Sequence, residues 1–279
     1  MTPLDQLWRL DGRVAVVTGA AQGFGAAIAR RLAEAGAVVT VADLKADDAR
    51  ATAERITAET GATCDGHHVD VSQEGSVADL FAAVESRRGP VDVLVNNAGV
   101  FSNYYVSEMP CSEFARIMEV NVTGSFLCSR AAVRSMRPRG AGVIVNIASV
   151  DALAPSAEGL VHYTTSKHAI AGLTRSLAME LAPHGIRVNA VCPGAAMTEG
   201  AIDLVSSSGA GQGIDIEAQW DGIVHRTPLG RLCRPDDIGR AVVYIASDMA
   251  EFITGVLLPV DGGILVQPLE GYVSSEVYS

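Results

Sequence analysis

The run Val14-Ala15-Val16-Val17-Thr18-Gly19-Ala20-Ala21-Gln22-Gly23-Phe24-Gly25 decides how the rest of the chain is read. Val14 to Thr18 is short, apolar and rich in β-branched residues, the composition of a strand buried on both faces. Gly19 permits a tight turn after it. Behind the glycines, Ile28 and Leu32 are spaced one helical turn apart, on a helix that Gly36 ends. Working outward, the same alternation repeats. Val38 to Ala42 reads as a second strand closing at Asp43, and a charged helix covers roughly 46–60. A strand near His67 to Val69 ends at Asp70, and a helix near 75–86 leads to the strand Val91 to Val95. A long helix over 112–136, the strand Gly142 to Ile147, a helix over roughly 160–182 and the strand Arg187 to Val191 follow.

Composition then changes. Residues 195–226, with Ser206 to Gly213 at their centre, show little apolar periodicity and predict a mobile insertion. A helix from about Pro235 to Ser247 and a last strand near Val256 to Val260 restore the pattern. Strand and helix alternate without an internal repeat or a linker. The expectation is one α/β domain over 1–279: a doubly wound, Rossmann-type fold with a mostly seven-stranded parallel sheet flanked by helices, ending in an extension at 264–279.

Charge and composition set limits. Hydrophobic residues are 48% of the chain and charged residues 19%, enough for a large core. A formal net charge of -11 argues against a nucleic-acid partner, because phosphate binding is driven by Lys and Arg. The cysteines Cys64, Cys111, Cys128, Cys192 and Cys233 are odd in number, scattered, and form no CxxC pair, so neither a disulfide framework nor a zinc site is read. The N-terminus lacks a signal-peptide pattern and no apolar run reaches spanning length, so a cytoplasmic protein without a membrane partner is expected.

The glycine turn lies between a buried strand and a helix, where Gly23 and Gly25 let a pyrophosphate approach the helix N-terminus. Its spacing is GxxxGxG. Asp43, about twenty residues on, stands where an acid accepts the ribose hydroxyls of NAD and repels a 2′-phosphate. A helix N-cap is the alternative reading of Asp43, and Lys45 softens the discrimination. NAD is favoured over NADP. Asp70 would meet the adenine edge or cap its own strand. Asn96-Asn97-Ala98-Gly99 would line the cofactor and brace the sheet; taken alone it reads as a loop.

Tyr163-Thr164-Thr165-Ser166-Lys167 puts a phenol and an ammonium at i and i+4 on one helix face. A phenol near its free pKa of about 10 is a poor base at neutral pH, and a cation beside it favours the phenolate. An ordinary solvated Tyr/Lys pair is the competing reading.

With the glycine turn, NNAG and the Tyr163/Lys167 pair in order, the sequence resembles the short-chain dehydrogenase/reductase family. The resemblance runs from about Gly12 to Gly263. Asn121, Asn146 to Ser149, Arg187 to Gly194, Gly230 to Pro235 and Asp261-Gly262-Gly263 also match it. It implies that Tyr163 is the general acid/base and that Lys167 assists it while holding the nicotinamide ribose. Ser149 would hydrogen-bond the substrate oxygen, and Asn121 would hold a water in a proton relay. Hydride would pass directly between nicotinamide and substrate carbon, without a metal. The implied cofactor set is Gly19, Gln22, Gly23, Phe24, Gly25, Asp43, Asp70, Val71, Asn97, Ala98, Gly99, Pro193, Gly194 and Thr198, with Tyr163 and Lys167. A homotetramer is implied too.

Three features depart from the family pattern. Ser149 lies fourteen residues before Tyr163, one more than the commonest spacing, which leaves Ser156 as a second contender. Gln22 and Phe24 replace a smaller polar and an aliphatic residue. The extension carries Leu265, Leu269, Tyr272 and Tyr278, as a cover or a frayed tail. The substrate pocket is expected from Phe101, Asn103, Tyr104, Tyr105, residues 150–160, Met197, Ile202, Leu204 and Trp220, with Arg226 nearby. Its apolar character predicts a neutral secondary alcohol or ketone, under a closing lid. The alternatives are an NADPH-dependent reductase of ketones or oxoacyl thioesters, and a catalytically idle dinucleotide sensor.

Overall fold

Val14–Thr18 forms β1, buried at all five positions, in a computed structural model whose described residues are 1–198 and 216–266. On one side it pairs in parallel with β2 (Val38–Asp43), and β2 in turn with β3 (Cys64–His68). On the other side lies β4 (Val93–Asn96), followed by β5 (Gly142–Ile147), β6 (Ile186–Pro193) and β7 (Leu257–Val260). The seven parallel strands run in the order β3-β2-β1-β4-β5-β6-β7. The chain builds away from β1 in one direction and then returns to build in the other. That reversal leaves a crevice at the carboxyl ends of β1 and β4, the place where open α/β sheets bind ligands.

A single-turn helix α1 (Leu4–Leu7) precedes the sheet. Then come α2 (Gly23–Glu34), α3 (Ala46–Thr60), α4 (Glu74–Arg88), α5 (Cys111–Met118), α6 (Gly124–Met136), α7 (Val161–Leu181), α8 (Ile216–Arg226) and α9 (Pro235–Ala246). Successive strand residues point to opposite faces, so each strand feeds two cores. Val17, Val41, Val95 and Val145 pack with Ile28 and Leu32 of α2 and with Ile238 and Val242 of α9. Val16, Leu94, Ile144 and Val188 pack with Leu80 of α4, Met136 of α6 and Leu181 of α7. Burial on both faces is why these strands read as unbroken apolar runs rather than alternations.

The structure corrects several boundaries. The third strand is Cys64–His68, not His67 to Val69, because an edge strand with half-exposed residues need not carry the apolar signal that Val69 supplied. At its centre a Cβ on Gly66 would fall 2.4 Å from the Arg50 Cα, so glycine lets α3 lie close. The expected single helix over 112–136 is interrupted by a π-helical turn, Glu119–Thr123, between α5 and α6. Of the insertion expected at 195–226, Ile216–Arg226 is regular helix, a correction, and 199–215 lie outside the described residues, as do 267–279 of the extension. No helix among the described residues is long and apolar enough to cross a membrane.

Candidate active site

Gly19 and Gly23 take positive φ of 62° and 58°, a region where a side chain is strained. A Cβ on Gly19 would sit 2.6 Å from the Ala98 Cα, so only glycine lets the turn after β1 meet the turn after β4. A Cβ on Gly25 would lie 2.2 Å from the Gly19 carbonyl oxygen. Gly25 is thus a packing residue that seats α2 beneath the turn, and it does not line the cleft as the sequence reading expected. Gln22, the N-cap of α2, makes no side-chain cap hydrogen bond, which leaves the first-turn amides to face the cleft.

Asp43 closes the cleft's far wall. One carboxylate oxygen accepts from the Ala21 amide at 3.0 Å and the other from the Lys45 amide at 3.0 Å. Each oxygen keeps lone pairs, so the residue fits a vicinal-diol acceptor. Asp70 accepts from the Ser72 amide at 3.0 Å and the Ser72 hydroxyl at 2.7 Å; it caps its own turn while lining the cleft beside Val71. The glycine turn, unfilled helix amides and a diol-accepting acid fit an adenine dinucleotide.

The NNAG segment is a brace. Asn96 donates to Asn146 at 2.8 Å and Ser129 at 3.0 Å, tying β4 to β5 and α6. Asn97 donates to the carbonyls of Thr18 at 2.9 Å and Gly19 at 2.8 Å, fixing the glycine turn from below. Gln22, Gly23, Phe24, Ala98, Gly99, Pro193, Gly194 and Thr198 line the same cleft, of about 560 Å³, that holds Ser149, Tyr163 and Lys167.

Lys167 Nζ donates to the Ile147 carbonyl at 2.9 Å and lies 5.4 Å from the Tyr163 ring centroid. Burial lowers the ammonium to about 8, against the pull of Cys192 and Asp151. Burial pushes the Tyr163 phenol upward; a Ser149 hydrogen bond draws it down, and Asp151 and Cys192 push it further up. Desolvation is the largest influence on the phenol, and the lysine, from which a lowering was expected, is not among the groups that shift it. Ser149, not Ser156, meets the phenol. Ser156 instead donates its hydroxyl to Asp151 at 2.9 Å.

Asn121, in the π-helical turn, accepts from the Val100 amide at 2.8 Å and donates to the Val100 carbonyl at 2.9 Å and to Ser166 Oγ at 3.0 Å. A Cβ on Gly99 would lie 3.4 Å from Asn121 Oδ1 and 3.8 Å from Lys167 Nζ, so glycine keeps the space between them clear. Of the expected pocket aromatics, Phe101 lines the cleft and packs on Tyr163 at 5.7 Å between centroids. Asn103, Tyr104 and Tyr105 are exposed; Ile202 and Leu204 lie outside the described residues.

The sequence reading included Asp151, buried and two residues past Ser149, only within the 150–160 pocket segment and gave it no role of its own, and it missed Arg116 on the cleft wall. An acid inside the apolar run Val145 to Leu153 was the available signal for the first. Arg116 binds Glu113, which accepts from Ser102 at 2.6 Å, and Ser102 meets His162 Nε2 at 2.7 Å. With its hydroxyl hydrogen given to Glu113, Ser102 must accept from Nε2–H, which leaves His162 Nδ1 as the buried bare nitrogen. Among the described residues no cluster of three or more His, Cys, Asp or Glu is placed to hold a metal.

A seven-stranded sheet with a glycine turn at its switch point and a Ser/Tyr/Lys group in the same cleft defines a nicotinamide-type oxidoreductase fold. The chain belongs to the short-chain dehydrogenase/reductase family. A family model described as enoyl-(acyl carrier protein) reductase matches residues 19–265. The chain is similar to a cis-4-hydroxycyclohexanecarboxylate dehydrogenase of Sinomonas cyclohexanicum, 41% identical across 90% of this chain and 96% of the relative. It is 34% identical to a 3-oxoacyl-(acyl-carrier-protein) reductase of Aquifex aeolicus, across 92% and 98%. Among solved structures it resembles a 7α-hydroxysteroid dehydrogenase with NADH and a 7-oxo bile acid, TM-score 0.86, 34% identical across 94% and 98%. An actinorhodin polyketide ketoreductase with NADPH also has a TM-score of 0.86, at 36% identity across 91% and 98%. The chain is an oxidoreductase of alcohol and carbonyl groups.

Proposed function

We propose that the protein is an NAD-dependent dehydrogenase that interconverts a secondary alcohol and its ketone, with Tyr163 as general acid/base. One observation carries this reading: Asp43 at the end of β2 and the Ser149/Tyr163/Lys167 group open into the same cleft. A bound dinucleotide supplies the hydride chemistry. Asp43, the α2 amides and the NNAG turn hold its adenosine and pyrophosphate, and Lys167 and Thr198 meet its nicotinamide end.

For ketone reduction Tyr163 donates its phenolic proton to the substrate oxygen while Ser149 hydrogen-bonds that oxygen. For oxidation the proton moves to the phenolate. Burial favours the protonated phenol, so oxidation gains rate as pH rises. Lys167, anchored on the Ile147 carbonyl, supplies a cation beside the ring, and the clear space beside Gly99 admits a water between it and Asn121.

The substrate reading is a neutral, cyclic secondary alcohol. Phe101 lies on Tyr163 and Arg116 is held by Glu113, which supports neutrality, and the Sinomonas relative, named for a hydroxycyclohexanecarboxylate, supports the ring though not the absence of charge. A second reading, an NADPH-dependent ketone or oxoacyl reductase, draws on Lys45 beside Asp43 and on the NADPH-bound neighbour. Initial rates over a panel of secondary alcohols, with and without a ring carboxylate and with either coenzyme, test both. We expect kcat/KM with NAD to exceed that with NADP at least about tenfold, which the repulsion between Asp43 and a 2′-phosphate requires; a tenfold preference for NADP replaces the first reading by the second. We extend the proposal to a cytoplasmic homotetramer, for which the exposed Phe126 of α6 and Val161 and Met179 of α7 offer apolar contact.

A further inference from the structure

Asp151 is 3% exposed, follows β5 by four residues, and is a carboxylate whose hydrogen-bond partners are hydroxyls and an amide rather than a cation. Burial of such a charge is costly unless every lone pair is engaged. One oxygen accepts from the Ser156 amide at 3.1 Å, the Ser156 hydroxyl at 3.0 Å and the Thr164 hydroxyl at 2.9 Å. The other accepts from Ser149 Oγ at 3.1 Å and shares the Ser156 hydroxyl, at 2.9 Å, with the first, while the Asp151 amide donates back to Ser149 Oγ at 3.1 Å. Ser156 and Thr164 thus anchor the carboxylate from the following loop and from α7, aimed at Ser149.

A serine hydroxyl has one hydrogen. In the substrate-free site, if it goes to Asp151 the Ser149 oxygen can only accept from the phenol; when a carbonyl enters, Ser149 turns that hydrogen to the substrate oxygen and the phenol turns its own there too. We propose that Asp151 is a positioning residue for the alcohol/carbonyl interconversion: it takes the Ser149 hydrogen, turns the Ser149 lone pair toward Tyr163, and so holds the phenol as the donor of the pair. This rests on the reading of Ser149 and Tyr163 as the reacting groups. When the phenol ionises, Ser149 must turn its hydrogen from Asp151 to the phenolate, so the two anions compete for a single donor. Asp151 thereby favours the form of the site that gives a proton to a carbonyl and disfavours the form that takes one from an alcohol.

The groups facing the phenol are Ser149 and Asp151 from the loop after β5, Cys192 from β6, and Lys167 from α7 itself; the Phe101 ring also packs on it. Cys192 is pushed up to about 11 by burial and stays a neutral thiol over most of the working range. Asp151 is therefore the anion whose removal is felt most.

The test is a tyrosinate absorbance titration of wild type and Asp151→Asn, each with the corresponding Tyr163→Phe trace subtracted. Asp151→Asn removes the charge at nearly constant shape and is expected to lower the Tyr163 midpoint by about one pH unit or more. The pH at which alcohol oxidation rises moves down with it, while Asp151→Glu keeps the wild-type midpoint. An unmoved midpoint overturns the inference, whether or not the rate falls. Where Asp151→Asn does not fold, Thr164→Val is used: it strips one donor from the carboxylate, strengthens its hold on Ser149 and moves the midpoint up, and no movement again overturns it. Turnover by Tyr163→Phe would instead remove the reading beneath the inference, so the two failures are told apart.

Discussion

Lys167 Nζ donates to the Ile147 carbonyl at 2.9 Å and stands 5.4 Å from the Tyr163 ring centroid. The carbonyl fixes the ammonium in place beside the phenol ring. That arrangement joins β5 to α7 at the point where the strand ends, beside a second tie in which Asn146 donates to Thr174 at 2.9 Å.

A buried ammonium opposes folding. Lys167 is lowered from 10.5 to about 8, so below pH 8 it is charged in both the folded and unfolded states and the cost is fully present. The cost fades as pH rises from 8 to 10.5, where both states become neutral. Lys167→Met should lower kcat about 100-fold or more. Its Tm relative to wild type should be most favourable at pH 7 and decline toward pH 10 in thermal melts. A Tm difference that is flat or rises with pH would contradict the burial cost.

Asp43 receives the Ala21 and Lys45 amides, and both contacts hold its carboxylate toward the cleft. Asp43→Ser is expected to reduce the NAD/NADP ratio of kcat/KM by at least about tenfold, through loss of the diol acceptor and of repulsion toward a 2′-phosphate. Steady-state titration with both coenzymes checks this, and an unchanged ratio places discrimination elsewhere.

The sequence carried the fold because its signals are local. Val14 to Thr18 and Gly142 to Ile147 are buried on both faces, and burial writes itself as β-branched runs. β3 was misplaced because its edge position leaves it polar. The π-helical turn at Asn121 was invisible because the apolar pattern on either side continues a single helix. In the site, the i,i+4 spacing offered Tyr163 and Lys167 and the family resemblance singled them out, but the balance of burial against charge at the phenol depends on Cys192 and Asp151, which only folding brings near. Gly25 has the motif spacing of a ligand residue and turns out to face protein.

Asn121 holds both polar groups of Val100 and the Ser166 hydroxyl while itself 2% exposed. Asn121→Ala strands those partners and should cost about 2–4 kcal/mol in urea unfolding, since several buried polar groups lose their bonds at once. A cost below about 0.5 kcal/mol would mean that the π-helical turn is held by its packing alone.

Glu113 is drawn down to about 2 by Arg116 and then by Ser102. A depressed carboxylate stabilises the fold above its unfolded value of 4.5, and that contribution is lost as pH falls from there through about 2. Glu113→Gln should therefore be less stable than wild type at pH 7, by about 1–2 kcal/mol. The gap should close across that acid window in denaturant titrations. A gap constant with pH would assign the loss to packing.

Turnover and NAD binding by Tyr163→Phe, measured side by side, give the sharpest test. Removing the phenolic oxygen should cut kcat by about 10³-fold, within the range of a lost general acid/base, and leave the Kd for NAD within about threefold of wild type. A variant that keeps more than about a tenth of the wild-type kcat shows that the proton travels by another route.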